Sequence, residues 1–172
     1  MKIEKIKLVD NQDIICEAYF DDGSVNKLSI NSFSNRRMKE DLSEIESYSI
    51  RQCENVIVII ALLASRQGGF IIVWDCFKNR VLHISEGAFT CYATIFKNQV
   101  FSFRLVSTFM HAPEFGYTIC PLETNDPYSE YEFQHLNLDP NTIDNPFEQC
   151  RIDIVNNKIR FVANGQAEEI TI

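Results

Sequence analysis

The chain has 172 residues, of which 24 are acidic and 16 basic, for a formal net charge of -8. That length fits a single domain, residues 1–172, able to bury about two-thirds of its unfolded surface without disulfides or metals. A composition 45% hydrophobic and 23% charged argues against wholesale disorder. The acidic excess argues against nonspecific nucleic-acid binding and against an anionic membrane surface, since both depend on Lys and Arg.

The N-terminus, Met1-Lys2-Ile3-Glu4-Lys5-Ile6-Lys7, alternates charge with isoleucine where a secretory signal needs a continuous apolar core. The longest apolar run, residues 56–64, is nine residues, about half of a membrane-spanning helix. Both features lead to the expectation of a cytoplasmic protein. The six cysteines show no CxxC or CxC pair, and in a reducing compartment they read as free, mostly buried thiols.

Most of the chain alternates apolar and polar residues with a period of two, broken by turn residues, which predicts a mainly β protein. The expected architecture is antiparallel hairpins assembled as a sandwich, a barrel or a propeller-like set of sheets. Turn signals stand at Asp21-Asp22-Gly23-Ser24, Lys78-Asn79, Lys97-Asn98 and Asn156-Asn157, because Asp, Asn and Gly tolerate the positive φ of tight hairpins. Between residues 36 and 47, Met38, Leu42 and Ile45 recur at helical spacing and predict one short surface helix. The Val- and Ile-rich stretch at residues 55–64 predicts a central strand buried on both faces.

Residues 105–150 differ from the rest. Residues 1–104 carry 13 acids and 13 bases, and residues 151–172 carry three of each. The whole surplus of eight negatives therefore belongs to residues 105–150, which hold no Lys or Arg and all five prolines. Proline interrupts regular backbone hydrogen bonding, so this segment is expected to form long loops with short strands near Tyr117, Ile119, Tyr131 and Phe133. Glu130 and Glu132 would then share one face while Tyr131 and Phe133 turn inward.

Residues 62–89 resemble one blade of a WD-repeat propeller. Leu62-Leu63-Ala64-Ser65 is followed by Gly68-Gly69-Phe70-Ile71-Ile72-Val73-Trp74-Asp75, then Asn79-Arg80-Val81-Leu82-His83 and Glu86-Gly87. In that family the Trp-Asp pair closes a strand and a Gly-His dipeptide follows the next one, whereas Ala88 stands after Gly87 here. The resemblance implies strand, turn, strand with Trp74 in a core, and a scaffold that binds other molecules.

Catalytic signatures are weak. His83, His111 and His135 occur in no zinc-ligand spacing, so no metal or other cofactor is expected. Asp139, Asn141 and Asp144 approach a calcium loop but lack its glycine and closing glutamate. His83, Ser85 and Asp75 can be drawn as a triad, without a GxSxG elbow. Gly68-Gly69 has neither the GxGxxG pattern nor a lysine following.

Negative charge interleaved with aromatic residues is what a surface offers a cationic partner. The candidate partner-binding residues are Glu114, Phe115, Asp126, Tyr128, Glu130, Tyr131, Glu132 and Asp139. In character the chain is similar to small acidic bacterial immunity proteins, a likeness that implies a non-enzymatic inhibitor covering a cationic nuclease toxin. Two other readings are a carboxylate-dependent hydrolase or carbohydrate-active protein, which needs two acids across a cleft, and a structural subunit of an oligomeric β assembly.

Overall fold

The computed structural model describes residues 1–10, 14–29, 45–63, 69–87, 89–108, 111–124 and 131–171. These residues form four antiparallel sheets, each a meander of strands consecutive in sequence. Sheet 1 contains β1 (Ile3–Asp10), β2 (Ile14–Phe20) and β3 (Val25–Ser29). Sheet 2 contains β4 (Ile45–Cys53), β5 (Val56–Leu63), β6 (Gly69–Asp75) and β7 (Arg80–Gly87). Sheet 3 runs β8 (Phe89–Phe96), β9 (Gln99–Thr108), β10 (His111–Pro121) and the short β11 (Gln134–His135). Sheet 4 contains β12 (Cys150–Val155), β13 (Lys158–Ala163) and β14 (Gln166–Thr171). A 3-10 turn at Pro140–Thr142 and a single-turn helix α1 (Pro146–Gln149) lie between sheets 3 and 4.

Three cores hold the sheets in chain order, and the sheets do not close into a barrel. Cys16, Ala18 and Phe20 of sheet 1 pack on Ile57, Ile59, Ile72 and Trp74 of sheet 2. The opposite face of sheet 2, with Val58, Ile60, Ile71 and Val73, meets Ala93, Val100 and Cys120 of sheet 3. Phe101, Phe103 and Phe115 of sheet 3 then pack on Ile152, Ile159 and Phe161 of sheet 4. The continuous apolar run of β5 follows from this layering. Its alternate residues enter two different cores, so neither face tolerates polar side chains.

The aromatic excess fills the seam between sheets 3 and 4. Phe103 lies 5.0 Å from Phe115 and 5.4 Å from Phe161, ring centre to ring centre, and Tyr117 stacks on Phe161 at 4.8 Å. Cys91 and Cys150 hydrogen-bond across the same seam, and burial pushes the Cys91 thiol up. Cys16, Cys76, Cys91, Cys120 and Cys150 are all buried free thiols.

All four expected turns connect strands. Lys97 and Asn98 have φ of 48° and 61°, and Asn156 and Asn157 have 52° and 62°. Paired positive φ is the geometry of a two-residue hairpin matched to strand twist. The expected helix at residues 36–47 needs correction at its end, because Ile45–Ser47 begin β4 and pair with Leu63 and Leu62. Partnering with an apolar strand outweighs the local i, i+3 spacing there; Met38 and Leu42 lie outside the described residues. The start of the acidic segment also differs from expectation, since His111–Pro121 is a long strand. Pro113 is accommodated where the register shifts between His111 and Glu114, a bulge that demands no ladder donor from it.

Gly116 fixes where the acidic segment returns to sheet 3. A Cβ there would collide with Phe133 Cζ and the Gln134 carbonyl oxygen, and would lie 2.6 Å from Phe133 Cε1. Gly116→Ala should cost about 1–3 kcal/mol, the range for overpacking. Urea denaturation would give the loss, and amide exchange should show β11 opening faster than β9 and β10; an unchanged midpoint would contradict the packing of Phe133 over β10.

Candidate functional site

After β10 the chain crosses to the edge of sheet 2. The Thr124 amide donates to the Leu82 carbonyl at 3.0 Å, and Arg80 pairs with Glu123 at 2.9 Å. From residue 131 it returns to sheet 3 and passes on to cap the core shared with sheet 4. Leu136 and Leu138 are buried in that core, while Asn137 and Asp139 between and after them face solvent. Side chains of sheet 4 hold the loop in place. The Asn137 amide donates to Glu168 Oε2 at 2.5 Å, the Asp139 amide to Gln166 Oε1 at 3.0 Å, and Asn164 Nδ2 to the Thr142 carbonyl at 2.8 Å.

The eight acids of the segment separate into groups. Glu114 is 3.2 Å from His135, and Glu123 is paired with Arg80. Glu132, Asp139, Asp144 and Glu148 are exposed, and none has a basic partner within ion-pair distance among the described residues. Asp139 also caps the 3-10 turn, its Oδ1 accepting from the Asn141 amide at 3.0 Å. Asp126, Tyr128 and Glu130 lie outside the described residues.

The aromatic candidates require a correction. Phe115 is 0% exposed and packs at a tilt against Phe103, so it supports the core and presents nothing to a partner. Strand alternation explains this, because Glu114 and Phe115 are neighbours on β10 and must face opposite ways. Tyr131 is half-buried and packs against the core between sheets 2 and 3.

Two residues of the acidic face were not among the candidates: Tyr117 and Glu168. Burial, and then the charges of Glu168 and Glu132, push the Tyr117 hydroxyl above its ordinary range. A half-buried phenol that feels the charges of two carboxylates therefore marks the rim where sheets 3 and 4 meet. Such a face offers acceptors and an aromatic edge to a cation.

The other chemistries drawn from the sequence fare differently. His83 Nδ1 lies 3.0 Å from the Pro121 carbonyl oxygen, whereas Asp75 Oδ1 accepts from the Lys78 amide at 3.0 Å. The triad of His83, Ser85 and Asp75 is thus not assembled. An open depression of about 340 Å³ lined by Met1, Asn55, Asp75, Phe77 and Lys78 holds one carboxylate, and Lys78 lies 3.6 Å from it. That is not the two-acid cleft of a glycosidase. Among the described residues no group of three or more His, Cys, Asp or Glu side chains is placed to hold a metal ion.

Comparison with protein-family models, curated proteins and solved structures finds no match.

Proposed function

We propose that the protein is a non-enzymatic, cytoplasmic binding protein that docks a basic protein partner on its acidic face, in the most concrete version a cationic toxin that it neutralises. The supporting observation is that Glu132, Asp139, Asp144 and Glu148 are exposed and have no basic partner within ion-pair distance among the described residues, on a segment anchored to two sheets. A fixed carboxylate array focuses potential and speeds encounter, and it loses little entropy when a partner binds. Glu132, Glu168 and the Tyr117 hydroxyl form the centre of the contact, and Asp139 and Asp144 lie towards its rim. Asp126, Tyr128 and Glu130 extend the same acidic segment.

Affinity capture from an extract of the source cells tests this. The bait variant combines Glu132→Gln, Asp139→Asn, Asp144→Asn and Glu148→Gln; the amide introduced at position 139 keeps an oxygen to cap the 3-10 turn. Wild type should recover a basic protein at low salt that the variant recovers at least about tenfold less well, as loss of several charge-assisted contacts implies. Equal recovery by both baits would remove the acidic face from the binding reaction.

A further inference from the structure

The seam between sheets 2 and 3 is apolar at one end and polar at the other. Cross-strand partners share a face of a sheet. His83 and Ser85 oppose Val73 and Ile71, so they face sheet 3 along with those two core residues. On sheet 3, Ser102 pairs with Thr118 and Val100 with Cys120; the latter two belong to the same seam, which places Ser102, Thr118 and Arg104 opposite sheet 2. Arg104 folds back along β9, its Nε donating to Ser102 Oγ at 2.9 Å, and Ser102 Oγ lies 2.6 Å from Thr118 Oγ1.

Arg104 is only 8% exposed, and among the described residues no carboxylate lies within ion-pair distance of it. A buried cation without a counter-charge is strongly unfavourable, and a guanidinium matches an oxyanion in shape. Across the seam, His83 Nδ1 bonds to a carbonyl oxygen, which only accepts, so the proton sits on Nδ1 and Nε2 presents a lone pair. Among the described residues, that Nε2 and Ser85 Oγ are buried without hydrogen-bond partners. Native structures leave few such atoms, and each calls for an explanation.

We propose that this seam binds a small oxyanion that carries a hydroxyl, with Arg104 holding the charge, His83 Nε2 accepting from the ligand O–H, and Ser85 Oγ supplying a further bond. Burial and the Arg104 charge keep His83 neutral, with its pKa lowered to about 4. An unprotonated Nε2 repels a bare oxyanion oxygen but accepts from a hydroxyl. Hydrogen phosphate and 2-hydroxycarboxylates satisfy both requirements, while sulfate and acetate at neutral pH bring charge without a donor.

The test is a titration of the full chain, labelled with ¹⁵N-histidine, with phosphate, glycolate, sulfate and acetate at constant ionic strength. The His83 Nε2 resonance should move with phosphate, glycolate or both, and sulfate and acetate should bind about tenfold or more weakly, the value of one buried hydrogen bond. A response to phosphate alone assigns hydrogen phosphate, and a response to glycolate alone assigns a hydroxy acid. Arg104→Gln should abolish the response. Ser85→Ala, which removes an unpartnered hydroxyl and leaves the core intact, should weaken it about tenfold. No movement of His83 with any of the four up to tens of millimolar, equal responses to phosphate and sulfate, or an unaltered response in Ser85→Ala would each overturn the proposal.

Discussion

Replacing Trp74 with alanine should destabilise the protein by about 3–5 kcal/mol, the range for truncating a large buried aromatic. Trp74 sits on β6 with 0% exposure and joins Phe20 and Ile57 in the core between sheets 1 and 2. Its Nε1 also donates to Asn79 Oδ1 at 3.2 Å, tying the ring to the turn that feeds β7. Truncation opens a cavity that two sheets cannot close without moving apart, and total stabilities of roughly 5–15 kcal/mol leave little reserve. A melting temperature lower by roughly 10 °C follows for a chain of this size. Trp74→Phe should lose less, since it keeps much of the volume and gives up one hydrogen bond. Thermal and urea unfolding followed by circular dichroism measure both, and a loss under about 1 kcal/mol for Trp74→Ala would mean that sheets 1 and 2 do not pack through this ring.

Acidification should destabilise the protein through His83. Its folded pKa is lowered to about 4 from 6.5, first by desolvation, then against the Pro121 hydrogen bond, which raises it, and with the Arg104 charge, which lowers it further. The unfolded chain therefore binds a proton at a higher pH than the folded one. The stabilising contribution is complete above pH 6.5 and is lost progressively as the pH falls to about 4. The full shift corresponds to about 3 kcal/mol. Other titrating groups act in the same range, so the informative quantity is the difference between wild type and His83→Asn, whose side-chain amide can still donate to the Pro121 carbonyl. Wild type should lose about 3 kcal/mol more than the variant between pH 7 and pH 4; parallel stability curves would show that His83 is not buried in its neutral form.

The parts of this architecture set by short-range chemistry were readable from the sequence. Asn and Gly fix the turns because few residues accept positive φ, and the unbroken Val and Ile of β5 could only belong to a strand covered twice. Asn164-Gly165, with φ of 43° and 85°, turns β13 into β14 by the same rule. The misreadings share a different cause, because each depended on what another element covers. Ile45 follows helical spacing yet pairs with β5. Phe115 stands beside Glu114 in a charged stretch, but strand alternation sends it inward.

Glu168 was hidden by local neutrality. Residues 151–172 balance in charge, but Arg151–Asp153 and Lys158–Glu169 pair within sheet 4, which leaves Glu168 beside Tyr117. Ser102 and Arg104 alternate with Phe101 and Phe103 and look like the solvent side of a half-buried strand. Their burial depends on elements distant in the chain that cover that face.

The salt dependence of affinity for the recovered partner tests most directly whether the exposed carboxylates carry binding. The dissociation constants of wild type and of the variant neutralised at Glu132, Asp139, Asp144 and Glu148 should be compared across a series from low to high ionic strength. Exposed charges are screened within about 10 Å at 0.1 M salt, so wild-type affinity should fall steeply with salt and the variant should bind weakly with a shallow dependence. Equal affinities with the same salt dependence would contradict the acidic face as the binding surface.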